Sequence, residues 1–204
     1  MKLLSGYYQG EDPFNIFKHI NSTVKTEDVK GNDTVLILWG GEDISPSIYN
    51  QDVIHARASH KPSKRDQIEI SLFKEAVKNN VPIIGICRGA QLACALSGGS
   101  LFQHLEHGHH GNHVVETKDG HQFITSSCHH QALNLANVEH ELLAWDYNRQ
   151  TTVFTDKTTL KTTIPEVVYF PKTKSFAIQG HPEWMSPDSK FVQWCAKQIK
   201  ERFF

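Results

Sequence analysis

Two short stretches of the chain hold residues that can do covalent chemistry. The first is Gly85-Ile86-Cys87-Arg88-Gly89. It follows a short apolar run, residues 81–84, that reads as a strand buried on both faces, and residues 90–96 after it read as a helix. A cysteine between two glycines at such a junction is the thiol form of the nucleophile elbow, where a side chain in place of either glycine would collide with the tight turn. The turn sets the Cys87 sulfur at a helix N-terminus, where backbone N–H groups and the helix dipole are expected to favour thiolate over thiol. A buried structural cysteine is the alternative. The second stretch, Gly180-His181-Pro182-Glu183, ends an apolar segment. A histidine and a carboxylate two apart at a strand end can point the same way, which suits a base and its orienting partner. Taken alone, this pattern is more ordinary as a surface loop.

The elements that must position these residues alternate. Lys2 to Ser5 can make a first strand, and the aromatics Phe14 and Phe17 with His19 and Ile20 predict a brief helix. Residues 34–39 are an apolar second strand that runs into Gly40-Gly41, either a ligand-approaching loop at the C-terminal edge of a parallel sheet or a plain tight turn. Ser63 caps a helix to about Asn80, with Asp66 completing a capping box. The neighbouring Arg65, Asp66 and Glu69 read as a solvated charge pair on its face. The order strand, helix, strand, helix through residue 97 predicts an α/β fold with a doubly wound, mainly parallel sheet. From Val114 the periodicity changes. Residues 114–117 and 122–125 read as a hairpin, 142–145 as a strand, and 166–170 pairs with 175–179, so the second half is an antiparallel extension. Ser186-Pro187-Asp188 opens a final helix.

The chain has 204 residues and a net charge of −1, which fits one domain, 1–204. There is no basic run for nucleic acid, no apolar run of about 20 residues to span a membrane, and no leader-like segment. Cys87, Cys94, Cys128 and Cys195 are too widely spaced for a zinc or disulfide pattern and are expected to be thiols in the cytoplasm. Residues 103–113 hold five of the thirteen histidines. Their spacing along the chain matches no named zinc motif, so a polar, pH-sensitive loop over a cleft is expected and no metal.

Taken together, Gly-Ile-Cys-Arg-Gly-Ala-Gln at 85–91 and Gly-His-Pro-Glu about ninety residues later resemble the class I glutamine amidotransferase-like superfamily, closest to its γ-glutamyl-γ-aminobutyrate hydrolase (peptidase C26) branch. Four further stretches are similar to that branch: Gly40-Gly41-Glu42-Asp43-Ile44-Ser45-Pro46 with Tyr49, Arg65-Asp66 with Glu69, Gly98-Gly99-Ser100-Leu101-Phe102-Gln103, and Ser127-x-His129-His130-Gln131. The resemblance covers residues 34 to 185 in order. It implies the flavodoxin-like fold of that superfamily and a γ-glutamyl hydrolase that needs no cofactor. Cys87 would attack the γ-carbonyl of a small glutamine-like substrate, His181 would carry the proton, and Glu183 would orient the imidazole. The backbone N–H groups of Arg88 and Gly41 would form the oxyanion hole. Gly40, Gln91, Ser127, His129 and Gln131 are the candidates for binding the glutamyl end, or for supporting the groups that do. A homodimer, or a synthase partner that receives ammonia, is left open.

Overall fold

The computed structural model describes every residue except 1, 8–10, 18, 22–23 and 155–158, and for 148–150 the backbone alone. The chain begins with the strands β1 (Lys2–Ser5), β2 (His19–Asn21) and β3 (Thr34–Leu38), followed by the helix α1 (Lys64–Lys78). Next come β4 (Ile83–Ile86), α2 (Arg88–Leu96), β5 (Ser100–Phe102), β6 (His104–Leu105), β7 (His109–Thr117), β8 (Gln122–His129) and β9 (Ala132–Asn134). It ends with β10 (Glu141–Phe154), β11 (Thr159–Phe170), β12 (Ser175–Ile178) and α3 (Lys190–Phe203).

The large sheet runs β2-β1-β3-β4-β12-β11-β10-β7-β8, with β6 paired to β10. Every pairing from β2 to β12 is parallel and every pairing from β12 to β8 is antiparallel. The expected α/β class and its antiparallel extension are therefore both present. β4 lies between β3 and β12, well inside the sheet. Its four residues are all buried, as a parallel strand covered on both faces requires.

Alternation along β3 shows how the core divides. Leu36 and Leu38 pack with Leu72, Phe73, Ala90 and Leu92 under α1 and α2. Val35 and Ile37 pack with Ile84, Ile86, Phe191 and Ile199 under α3. Each such side chain contributes about 1.5–3 kcal/mol by leaving water, so both helical layers are fixed against the strand that carries the elbow. The Ser63 capping box forms as expected. No helix among the described residues is long and apolar enough to cross a membrane.

Four local expectations change. No helix forms around Phe14: the Asp12 carboxylate accepts the N–H groups of Phe14, Ile16 and Phe17 in a turn, which competes with helix. The final helix is capped by Ser189, which accepts the Val192 N–H, three residues after the expected start. The histidine segment is not a loop, because residues 109–113 pair with 125–129 in a hairpin longer than the apolar pattern marks. Asp66 and Glu69 are not solvated but 1% and 0% exposed.

Candidate active site

Cys87 sits between β4 and α2 at φ 50°, ψ −106°. Such a backbone costs of order 1–3 kcal/mol and persists only where its surroundings impose it. Here Cys87 N–H donates to Ile178 at 2.7 Å and Cys87 C=O accepts Gln91 N–H at 3.0 Å. Gly89 lets the elbow press on the neighbouring strand: a Cβ there would stand 2.1 Å from the Leu38 carbonyl oxygen.

His181 and Glu183 follow β12, the parallel neighbour of β4. Glu183 Oε1 lies 2.7 Å from His181 Nδ1, which commits that nitrogen and leaves Nε2 for proton transfer. Gly40 separates the ring from the thiol. A Cβ on Gly40 would be 2.8 Å from His181 Cε1 and 3.5 Å from Cys87 Cβ. The structure thus brings the three residues of the two motifs together beyond the strand ends, around a glycine where a side chain would displace the imidazole.

The backbone N–H groups of Arg88 and Gly41 both act on the Cys87 sulfur. Their positions are set by buried charges. Arg88, 2% exposed, pairs with Glu69 and Asp66 of α1. Arg65 donates to Glu69 at 3.1 Å and to the carbonyls of Trp39 and Gly40 at 3.0 Å each. One side chain therefore anchors the start of α2 and another clamps the Gly40-Gly41 loop.

The thiol is not poised as thiolate. Burial pushes the Cys87 pKa up to about 12; the Arg88 N–H draws it back, Glu183 and Cys128 push it up, and Gly41 N–H draws it down. This overturns the expectation from the helix N-terminus, because desolvation of a sulfur 4% exposed exceeds what two N–H groups return.

Two cavities meet at Gly41. One of about 350 Å³ is lined by Cys87, Gln91, His129, Gln131, Asp43 and Arg57 among others. The second, of about 600 Å³, lies on the His181 side and is walled by Trp39, Gly40, Trp184 and Glu11. Of the expected binding residues, Gln91, His129 and Gln131 reach the first cavity and Gly40 the second. Ser127 lines neither; it is buried, its hydroxyl 3.6 Å from where a Cβ on Gly180 would stand. Gln103 braces the rim, accepting the N–H groups of Ile54, His55 and Ala56.

Sequence reasoning missed two features. Trp184 stacks on the His181 ring, with centroids 3.6 Å apart and planes at 3°, and fixes its plane; its position one residue after the His-x-Glu motif was an available signal. Glu166, 1% exposed, carried no local signal at all. Burial would raise its pKa, but the facing His109 and His113 hold it down at about 2. Burial lowers His129 to about 4.

A model of the family described as Peptidase C26 matches residues 20–183. Among curated proteins, the chain is 34% identical over 107 residues to a glutamine amidotransferase-like protein, the YvdE homolog of Lactococcus lactis subsp. cremoris, covering 48% of this chain and 56% of that one. It is 34% identical over 121 residues to the carbamoyl phosphate synthase small chain of Pseudomonas putida, covering 56% and 28%. The chain thus spans about half the length of the first relative and less of the second. A solved glutamine amidotransferase from Methylobacillus flagellatus superposes with a TM-score of 0.58 over 99% of this chain and 92% of that one at 12% identity, a likeness of fold.

Proposed function

Because the chain belongs to the peptidase C26 family, we propose that it is a cysteine-dependent hydrolase of γ-glutamyl amide bonds, acting in a reducing cytoplasm. The observation that carries this is the convergence of Cys87, the Glu183-bound His181 and the N–H groups of Gly41 and Arg88 around Gly40. As the substrate carbonyl arrives, the Cys87 proton passes to His181 Nε2 and the sulfur attacks the carbonyl carbon of the γ-amide. The Gly41 and Arg88 N–H groups receive the oxyanion. His181 returns the proton to the leaving nitrogen, and the C–N bond breaks to give a γ-glutamyl thioester. Water, deprotonated by His181, then cleaves the C–S bond and releases glutamate. A thiol held neutral by burial makes His181 a true general base rather than half of a standing ion pair.

Two cavities suit a substrate with two ends. The smaller one offers Asp43 and Arg57 for the α-amino and α-carboxylate groups of a glutamyl unit, and Gln91 and Gln131 for its flank. The larger one, with Trp39, Trp184 and Glu11, has far more room than ammonia needs and suits an extended amine. The test is kcat/KM of the isolated chain on γ-glutamyl-γ-aminobutyrate, a γ-glutamyl polyamine and glutamine. The γ-glutamyl amines should be turned over faster than glutamine; preference for glutamine would refute this substrate reading.

One observation favours a second reading. The match to a carbamoyl phosphate synthase small chain fits a glutaminase component that delivers ammonia to a separate synthase or ligase. That reading requires negligible rates on all three substrates until a partner protein is added.

A further inference from the structure

Three strands of the antiparallel half bring four side chains to one point. His109 and His113 come from β7, His129 from β8 and Glu166 from β11. Glu166 Oε1 lies 3.1 Å from His113 Nε2, 3.3 Å from His109 Nδ1 and 3.8 Å from His129 Nε2. His109, His129 and Glu166 are at most 4% exposed, and their ligand-type atoms all fall within 4.8 Å of one another. Bonds of about 2.0–2.1 Å in a tetrahedral zinc site give ligand-to-ligand edges of roughly 3.4 Å. The separations around Glu166 bracket that value.

The contacts of His109 and His129 with Glu166 lack hydrogen-bond alignment. Both ring nitrogens of His109, Nε2 of His129 and both oxygens of Glu166 are buried without a hydrogen-bond partner. Leaving a buried polar atom so is unfavourable unless something else satisfies it. Short separations with misdirected axes arise when atoms aim at a shared centre instead of at each other.

Outer contacts select the donor atoms. His129 Nδ1 is 2.8 Å from the Gln131 carbonyl oxygen. Only an N–H satisfies that contact, so Nε2 turns its lone pair to the cluster. His109 Nε2 faces Asp146 Oδ2 at 3.3 Å, which leaves Nδ1 towards Glu166. An imidazole whose second nitrogen is held by a carboxylate or carbonyl is the usual arrangement of a metal-bound histidine. A divalent cation also matches the formal charge of the two carboxylates, Glu166 and Asp146.

We propose that His109, His113, His129 and Glu166 bind one divalent cation of zinc type, with Asp146 as the positioning residue behind His109. Three imidazoles and one carboxylate complete a tetrahedral shell, so the ion is structural and holds no reacting water. It pins the turn at 129–131, which lines the Cys87-side cavity, to β11. The Glu166 carbonyl in turn accepts the Gln179 N–H at 2.8 Å, two residues before His181. The absence of a metal expected from the sequence rested on spacing within residues 103–113; the ligands that spacing lacked come from strands paired around it.

The test is metal binding, independent of turnover. The full chain, free of any polyhistidine tag, is stripped with a chelator and titrated with zinc and with cobalt(II). The expected result is one equivalent bound and the intense visible spectrum of tetrahedral cobalt. Glu166→Gln should weaken binding at least 100-fold and Asp146→Asn roughly 10-fold, whereas His107→Asn, at an exposed position, should change nothing. If Glu166→Gln does not fold, His113→Asn at the cluster's rim carries the same expectation. Failure of the stripped protein to bind one equivalent overturns the proposal, as does binding that survives both cluster variants or is lost in His107→Asn.

Discussion

The parallel and antiparallel halves of the sheet place their polar side chains differently. In the parallel half the strands that lead to the site are mostly apolar, and the reactive groups lie in the loops beyond their C-terminal ends: Gly40-Gly41 after β3, Cys87 after β4 and His181 after β12. In the antiparallel half the polar groups lie within the strands, with His109, His129, Asp146 and Glu166 all buried. Loops at strand ends can be redrawn without disturbing a core, so chemistry collects there. Buried polar groups within strands are held by register, and their loss is felt as a change in the structure itself.

Substitutions can separate these two kinds of site, beginning with the largest effect. Cys87→Ala should lower turnover of a γ-glutamyl amide by roughly 10⁵ or more while leaving the thermal midpoint close to wild type, because the backbone demand at φ 50° is the same for both residues. Steady-state rates and a melting curve check both halves of this expectation. Glu183→Gln should cost less, about 10⁴ in kcat, since the glutamine can no longer hold the charged imidazole. Glu69→Ala should act differently. It leaves the buried guanidinium of Arg88 short of a partner and should cost about 3–5 kcal/mol of unfolding free energy, read by urea titration, with activity falling alongside. Gly40→Ala should cost about 10² in kcat by displacing His181, with little change in stability.

A pH series needs no substitution. A Cys87 pKa raised to about 12 means that the thiolate fraction rises tenfold per pH unit anywhere below that value. The rate of inactivation by iodoacetamide should therefore climb steadily from pH 7 to 10. A plateau near neutrality would show a preformed thiolate and contradict the burial argument.

The same division explains what was legible in the residues alone. The elbow, the His-x-Glu pair and the Gly40-Gly41 loop are each contiguous, and the strands before them are apolar but for Thr34 and Ser175, so their pattern shows in a short window. Asp66 and Glu69 were visible as residues but not as buried ones, because their helix face looks polar until Arg88 from α2 closes over it. The setting of the Cys87 thiol was invisible for a related reason: the groups that act on it, Gly41, Cys128 and Glu183, come from three distant segments. The cluster around Glu166 lay furthest from view. It depends on pairing His109 opposite His129 and on β11 reaching the same chamber, and no local period encodes either.

Trapping the thioester shows directly whether Cys87 is the nucleophile. The chain is mixed with a γ-glutamyl amine, quenched in acid within a turnover, digested and read by mass spectrometry. A glutamyl group is expected on the peptide containing Cys87, absent in Cys87→Ala, and none on the exposed Cys128. Turnover with no adduct on Cys87, or with the adduct on Cys128, would contradict it.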